Sequence, residues 1–376
     1  MQMTEPFPTT PGDLTASWLT SALRTSDRGS GTVIGFRWSL VPEQGAAGIV
    51  GRAWLDYDRP DHSPASVVIK FATSHAPTRA LMHRLGLYRT EVEFYRQLSA
   101  DAGIATPRCY YADIDTQSGL FVLVMEDMQD SRPGNPLQPQ VADVEVAIDH
   151  IAGFHARWWK HPRLRELDWL VYPEGPAFEA RAANLKLGFS GAAAAVRQRL
   201  GSRFPAVLSE ACDRILGAWP AFVALRTPAR PTLVHRDFHA QQLFFPSERG
   251  GRFAVYDWQT LNIGCGADDV GRIVAMGLRS PDRATYEHRL IDRYYDGLLQ
   301  HGVSVSDYSR EQCLRDVRLG LVGSLVTNTV AAATIDLSLF AEREAQTGVT
   351  FVYAVFDRLA RAFDAHDVLS LLPPRT

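Results

Sequence analysis

Residues 233–245 read LVHRDFHAQQLFF and residues 252–259 read RFAVYDWQ, with a short polar turn between them. The first segment ends in an apolar run and the second contains one, and proline, serine and glycine stand between them, which is typical of the two strands of a β-hairpin. A hairpin brings its two ends together. Asp237, before the first strand, and Asp257, after the second, are therefore expected at one edge of the sheet, and two converging carboxylates indicate a base and a metal ligand.

The order of the polar residues around this hairpin is more specific than either aspartate alone. A kinase catalytic loop reads His-Arg-Asp, carries a metal-binding amide five residues after the aspartate, and is followed by a strand pair and a second metal-binding aspartate. Here residues 235–237 read HRD, the amide position is Gln242, and the second aspartate is Asp257. An isolated H-x-D is more often a polar turn than a catalytic loop, but the complete ordered set favours a kinase-like site.

These motifs, LVHRDFHAQQLFF with VYDWQ, resemble the aminoglycoside phosphotransferase and choline-kinase-like superfamily, including its ecdysteroid-kinase-like branch, which are small-molecule relatives of protein kinases. The resemblance runs along nearly the whole chain, from an apolar helix predicted over Leu14 to Leu23 to Asp367. It implies an α+β, bilobal protein-kinase-like fold with ATP as the phosphoryl donor. A β-rich nucleotide-binding lobe is expected over residues 1–127 and a mainly helical catalytic and acceptor-binding lobe over residues 128–376.

Composition limits the classes of partner. The chain has 376 residues, 46% of them hydrophobic, which is enough for a large core and two lobes. A net charge of -3 gives no electrostatic footprint for nucleic acid, so no such partner is expected. The N-terminus lacks the features of a secretory signal, which predicts a cytoplasmic protein. The apolar stretch from Leu319 to Ile335 is interrupted by small and polar residues, which favours a buried helix over a membrane span. The oligomeric state is not indicated.

A turn of small residues, EQGAAG, separates two predicted strands, Thr32–Leu40 and Ile49–Tyr57. In a kinase-like first lobe such a turn folds over the nucleotide phosphates, because small residues allow backbone N–H groups to approach the oxygens. Gly45, Ala46 and Gly48 are therefore candidate phosphate contacts. The strict G-x-G-x-x-G pattern is absent, and a plain flexible hairpin is the alternative.

Lys70 lies in a β-branched strand, VVIKF, among apolar neighbours. A half-exposed strand whose ammonium reaches water is one explanation. The ordered context favours the other, a strand lysine that holds the α and β phosphates, similar to the V-A-I-K motif. Its expected partner is a glutamate on the following helix. Glu91 is preferred over Glu93 because the resembling family places its glutamate three residues before an aromatic pair such as Phe94 and Tyr95.

The apolar strand from Leu120 to Met125 leads into Glu126-Asp127-Met128, which is predicted to be the hinge between the lobes. In the resembling family, adenine is held here by backbone groups, which require no particular side chain. Glu126 and Met128 are therefore assigned as nucleotide contacts by position alone.

Several polar residues around the loop are expected to support it. His155, on a predicted helix with one apolar face, is interpreted as a buried histidine with a hydrogen-bond partner rather than as a catalytic group. In the resembling family, the aspartate that matches Asp269 supports the catalytic loop. His235 and His239 are expected to brace the loop, and Arg236 to act like the His-Arg-Asp arginine or to reach phosphate.

The proposed roles follow the needs of phosphoryl transfer, which are alignment and charge neutralisation. Asp237 would orient the acceptor hydroxyl and take its proton, Asp257 would hold Mg²⁺, and Gln242 would ligate a metal through its amide oxygen. The family usually has Asn at this last position. Maltokinase-like and glucosamine-kinase-like relatives carry Gln in loops similar to D-x-H-x-x-Q, which Asp237, His239 and Gln242 match, so the departure is interpreted as tolerated.

The segment after Asp257 limits the acceptor. A predicted helix begins within a dozen residues of Asp257, and the segment has neither the A-P-E motif nor the length of an activation segment that binds a peptide. The acceptor is therefore expected to be a small molecule with a hydroxyl group. The predicted function is ATP-dependent phosphorylation of that hydroxyl. Two alternatives stay open. One is an antibiotic-inactivating O-phosphotransferase, although no acidic cluster that would bind aminoglycosides stands out. The other is a pseudokinase that binds nucleotide without turnover, and the presence of Lys70, Asp237 and Asp257 argues against it.

Overall fold

The computed structural model describes residues 6–24, 31–42, 47–59, 63–136, 139–334 and 351–374. The chain divides into two compact units. The first comprises Met1–Arg132 and Phe244–Leu261, and the second Pro133–Leu243 and Asn262–Thr376. The sequence placed residues 244–261 in the C-terminal lobe, whereas they group with the first unit because Asp257 and Trp258 contact Lys70 and Phe94. The lobe boundary between residues 127 and 128 stays a prediction.

A five-stranded antiparallel sheet forms most of the first unit, with the strands in the order β1-β2-β3-β5-β4. This is the predicted β-rich N-terminal part. The elements are α1 (Ala16–Arg24), β1 (Val33–Leu40), β2 (Gly48–Tyr57), β3 (Ser66–Ala72), α2 (Ala76–Arg84), α3 (Leu87–Gln97), β4 (Cys109–Ile114) and β5 (Phe121–Glu126).

The central strand β3 explains how this sheet positions its lysine. Val67, Ile69 and Phe71 are fully buried in a cluster that also includes Trp18 of α1. Alternation along a strand sends Lys70 to the opposite face from these residues, while its backbone pairs with Val50 of β2 and Leu123 of β5. The core on one face therefore fixes where the ammonium on the other face lies.

Short strands and long helices make up the rest of the chain. The strands are β6 (Arg132–Pro133), β7 (Thr232–Val234), the hairpin strands β8 (Leu243–Phe245) and β9 (Ala254–Val255), and β10 (Asn262–Gly264). The helices are α4 (Val141–Arg157), α5 (Gly175–Leu200), α6 (Ala206–Gly217), α7 (Trp219–Arg226), α8 (Ala267–Met276), α9 (Ser280–Gln300), α10 (Arg310–Thr334) and α11 (Phe351–Ala365). The predicted hairpin and the mainly helical C-terminal part are both present.

The core of the second unit is built around α10. Leu321, Val322 and Leu325 of this helix are buried together with Phe356 and Phe363 of α11. Within the described part of the chain, α10 is the one helix long and apolar enough to cross a membrane, judged by length and composition alone, and 56% of its apolar window is buried. Buried core helices pass the same test.

Candidate active site

Lys70 is the centre of a buried charge cluster in the first unit. Its Nζ donates hydrogen bonds to Glu91 Oε2 at 2.7 Å, to Glu91 Oε1 at 2.9 Å and to Asp257 Oδ1 at 2.8 Å. The side chain of Glu91 is 1% exposed and that of Lys70 9%. Glu93, the other candidate partner, instead accepts a hydrogen bond from Gln97 on the same helix. One ammonium thus stands between two carboxylates.

Aromatic packing fixes the distance between α3, which carries Glu91, and the loop that carries Asp257. The ring of Phe94, one helical turn after Glu91, stacks on Trp258 with centroids 4.0 Å apart and planes 15° from parallel. Trp258 Nε1 donates to Val255 O at 3.1 Å. Asp257 itself has a φ of 61°, a left-handed conformation that costs free energy for a residue with a Cβ and is held here by its neighbours.

The electrostatics of this cluster follow from burial and the excess of negative charge. Burial alone would lower the pKa of Lys70, but the adjacent Asp257 and Glu91 carboxylates outweigh it and raise that pKa above its ordinary value. Burial raises the pKa of Glu91 to about 7, with the Lys70 charge opposing the rise and the Asp257 charge adding to it. The ammonium is therefore charged at any physiological pH, and a further cation would be favourable at this site.

The small-residue turn contributes one described candidate residue. Gly48 lies where β2 approaches β3, and a Cβ there would be 2.7 Å from Phe71 O and 3.4 Å from Lys70 Cε. Close packing beside Lys70 therefore requires glycine, a reason the sequence did not reveal. Gly45 and Ala46 lie outside the described residues. Tyr88 Oη donates to Ala47 O at 2.7 Å, which ties the end of this turn to α3.

The predicted hinge residues follow β5. The backbone N–H of Glu126 donates to Arg108 O at 2.8 Å, and its carboxylate pairs with Arg252 at 2.5 Å. Met128 is nearly buried, and within the described residues its N–H donates no hydrogen bond, whereas its carbonyl accepts one from Ser131 N at 2.9 Å. A backbone donor is thus available at the position expected to contact adenine.

In the second unit, the catalytic-loop segment leaves β7, which pairs antiparallel with β10. Asp269 of α8 accepts hydrogen bonds from the backbone N–H groups of His235 at 2.7 Å and Arg236 at 2.8 Å. Its carboxylate also accepts from His155 Nε2 at 3.2 Å, and Tyr294 Oη donates to His155 Nδ1 at 2.9 Å. This buried network fixes the loop, with Arg236 at a φ of 66°. His155 is a buried supporting residue.

Asp237 makes three side-chain contacts. Arg272 Nη2 and His239 Nε2 donate to its Oδ1, the latter at 3.2 Å, and Gln242 Nε2 donates to its Oδ2 at 3.0 Å. His239 Nδ1 accepts a hydrogen bond from Gln241 N at 3.4 Å. Gln242 and His239 thus lie beside Asp237, as their spacing suggested.

These contacts set the ionisation of Asp237. Burial alone would raise its pKa, but the His239 and Arg272 charges and the hydrogen bond from His239 outweigh burial and hold the pKa well below its usual range. An ionised Asp237 requires the NH₂ group of Gln242 to face it. The amide oxygen of Gln242 is then directed away from the carboxylate and is the atom that can meet a cation.

Gln259, two residues after Asp257, is a polar residue that sequence reasoning did not single out. Its Nε2 donates to Asp257 Oδ2 at 3.2 Å, while its Oε1 is buried and accepts no hydrogen bond from any described residue. A buried oxygen of this kind requires a partner. Its one signal in the sequence is its place directly after the Asp-Trp pair.

Comparison with known proteins decides the family. The model of the phosphotransferase enzyme family, APH, matches residues 63–303, which span more than half of the chain and include both charge clusters described above. The chain belongs to this family. The phosphotransferase is accordingly a small-molecule kinase. A search of curated protein sequences gave no significant match.

Solved structures with the same fold as the phosphotransferase include two small-molecule kinases. The choline kinase of Cryptosporidium parvum Iowa II is 11% identical with a TM-score of 0.57, over 90% of this chain and 92% of that chain. The ethanolamine kinase of Plasmodium vivax is 10% identical with a TM-score of 0.51, over 88% and 82%. At these identities the likeness establishes the kinase-like fold and leaves the acceptor open.

Proposed function

We propose that this protein transfers the γ-phosphoryl group of ATP to a hydroxyl group of a small molecule. The observation that carries the proposal is the buried ammonium of Lys70 between Glu91 and Asp257. A lysine is rarely buried without a reason. Held by Glu91 on α3, it presents a fixed positive charge to the nucleotide phosphates, and the N–H of Met128, which donates to no described residue, is suited to adenine.

The residues present fit Mg²⁺. In the first unit, Asp257 offers a carboxylate and Gln259 a buried amide oxygen without a partner among the described residues. In the second unit, the amide oxygen of Gln242 is turned away from Asp237 and is a separate candidate ligand. All are hard oxygen ligands, and Mg²⁺ at kinase sites is held by one or two protein carboxylates with substrate phosphates and water. When bound, Mg²⁺ neutralises charge on the transferring phosphoryl group. Asp257 would then exchange its contact with Lys70 for one with the metal.

Asp237 is proposed as the group that receives the acceptor hydroxyl. Its carboxylate is held on three sides, so the hydroxyl donates to an oxygen whose position is already fixed. Its lowered pKa makes it a weak base. Phosphoryl transfer has a loose transition state in which the hydroxyl proton leaves late, so orientation matters more than basicity. Asp237 accepts the proton as the new phosphate ester bond forms.

The proposal is tested by ADP release from Mg-ATP over a broad panel of small alcohols, sugars and amino alcohols, with and without EDTA. Acceptor-dependent ADP formation is expected, and it should disappear with EDTA. Asp237→Asn is expected to abolish the acceptor-dependent rate while leaving the rise in melting temperature caused by ATP. The matched control is Glu166→Gln, an exposed carboxylate in the same unit, which should leave both unchanged.

Two outcomes would contradict the proposal. If Mg-ATP raises the melting temperature but no compound increases ADP release above the rate with water alone, the protein is a nucleotide-binding module of the pseudokinase kind. If Asp237→Asn keeps the acceptor-dependent rate, the hydroxyl is received by another residue. Phosphorylation confined to aminoglycosides within the panel would identify the antibiotic-inactivating alternative.

A further inference from the structure

Four arginines of the second unit surround the loop that carries Asp237, and they differ in their partners. Arg272 pairs with Asp237, and Arg226 pairs with Asp268 at 2.6 Å. Arg181 of α5 and Arg236 of the loop make no ion pair with any described carboxylate. The electrostatic interaction between these last two is repulsive and lowers the pKa of Arg181 further.

The positions of Arg181 and Arg236 are defined by the same strands as the catalytic loop. Arg181 Nη1 donates to Asn262 Oδ1 at 2.6 Å, and Asn262 pairs in β10 with Val234, the last strand residue before the loop. Arg236 is adjacent to Asp237, and its left-handed backbone is held by the two hydrogen bonds to Asp269. The guanidinium group of Arg181 thus contacts a strand residue that pairs directly before the loop, and Arg236 precedes Asp237 in the loop itself.

Neither guanidinium group has its charge fully compensated: no described carboxylate is among the groups that act on Arg181, and the attraction of Asp268 and Asp269 for Arg236 is outweighed by burial together with Arg226 and Arg272. Each is partly buried, and burial lowers the pKa of Arg181 to about 10 and that of Arg236 below its ordinary value, so both are charged at neutral pH. A desolvated cation whose charge is not fully compensated costs free energy, and among the described residues Arg181 donates one hydrogen bond, from Nη1 to Asn262 Oδ1. An oxyanion that accepts from both would compensate this, because a guanidinium matches carboxylate and phosphate oxygens in a bidentate manner.

We infer that the acceptor of this phosphotransferase carries an anionic group, a carboxylate or a phosphate, that binds Arg181 and Arg236 while its hydroxyl meets Asp237. The inference rests on the proposed function, since it takes Asp237 as the place of the hydroxyl. An acceptor without negative charge would leave Arg181 without a counter-ion among the described residues and Arg236 only partly compensated, and a cationic acceptor would be repelled. The ligand class is therefore a hydroxy acid or a phosphorylated alcohol.

The test compares alcohols that differ only in charge. One series is glycerol, glycerate, glycerol 3-phosphate and 2-amino-1,3-propanediol, and a second is glucose, glucuronate, glucose 6-phosphate and glucosamine. ADP release is expected to show kcat/KM at least about tenfold higher for an anionic member than for its neutral partner, the size of one charge-assisted hydrogen bond. The carboxylate and phosphate members identify the source of the charge. Arg181→Gln should reduce this ratio towards one, whereas Lys186→Gln, exposed on the same helix, should keep it.

Binding provides a second measurement that does not depend on turnover. Anionic members should raise the melting temperature of the wild-type protein more than their neutral partners do, and Arg181→Gln should remove the difference while keeping the rise caused by ATP. If the anionic compounds bind in this way without ADP release, the proposed function fails and the anion site stands. A preference for neutral or cationic members, the absence of any difference in melting temperature, or an equal loss of ATP binding in Arg181→Gln would each overturn the inference.

Discussion

The cluster of Lys70 with Glu91 and Asp257 predicts an asymmetric response to substitution. Lys70→Met removes the one cation of the cluster and leaves two carboxylates that repel each other. The side chain of Glu91 is 1% exposed and that of Asp257 is 18% exposed. Breaking a buried ion pair by removing one partner costs about 3–5 kcal/mol. The first unit is therefore expected to lose about that much stability.

Glu91→Gln is expected to behave differently, although it removes a partner of the same lysine. The cluster carries two negative charges and one positive charge, and the pKa of Glu91, raised to about 7 by burial, indicates that its ionised form is not favoured there. Glutamine keeps an oxygen that accepts from Lys70, and Asp257 keeps the ammonium paired. The expected cost is about 1 kcal/mol or less, close to that of one neutral hydrogen bond.

Hydrogen exchange measured on peptides provides the local free energies that this comparison needs. In Lys70→Met, peptides from β3 and α3 should lose protection, while peptides from α9 in the second unit should not change. In Glu91→Gln, both sets should stay close to wild type. The double variant Lys70→Met with Glu91→Leu should recover much of the loss, because an apolar pair replaces the unpaired charge. Equal destabilisation by the two single variants would refute the reasoning.

Three further predictions concern the loop of Asp237. Asp237→Asn should lower kcat by about 100-fold or more through loss of the hydroxyl's acceptor; steady-state ADP release measures this, and an unchanged kcat contradicts the role. Arg272→Gln removes a cation that, with His239, lowers the pKa of Asp237; because the unfolded-state pKa is the same in both proteins, the deficit in melting temperature relative to wild type should be constant above the folded-state pKa of Asp237 in the variant and should shrink as the pH falls below it. Gln242→Ala should raise the Mg²⁺ concentration needed for half-maximal activity without weakening metal-free ATP binding, and equal effects on both would argue against metal ligation.

Local patterns in the sequence were sufficient to predict the strands, the hairpin and the helix contact that involve residues close together in the chain. The β-branched apolar run around Lys70 predicted its strand, and the turn residues predicted the hairpin between β8 and β9. The choice of Glu91 over Glu93 followed from a motif, and the helix indeed directs Glu91 to Lys70 and Glu93 to Gln97. These contacts lie within one helical turn or one strand of the pattern that predicts them.

Contacts that depend on the packing of distant helices were not predictable. Arg272 lies 35 residues from Asp237 and contacts it from α8, most of whose residues are buried. Its only sequence signal is an arginine within an apolar run, VGRIVAM, which also fits a helix that turns one face to water. Arg181 gave no signal, since its neighbours on α5 are mostly exposed. The grouping of residues 244–261 with the first unit likewise depends on Lys70 and Phe94, far away in sequence.

The contacts of Asp237 bear on what a kinase of this type requires of its base. A strong base would need a raised pKa, which burial without cations would give. Here Arg272 and His239 do the opposite and lower the pKa of Asp237, and together with Gln242 they hold both carboxylate oxygens in place. A carboxylate held in this way is a poor proton acceptor early in the reaction. Its fixed position, however, determines the direction from which a hydroxyl group can approach. It therefore suits a reaction whose barrier is lowered by alignment, as the loose transition state of phosphoryl transfer requires.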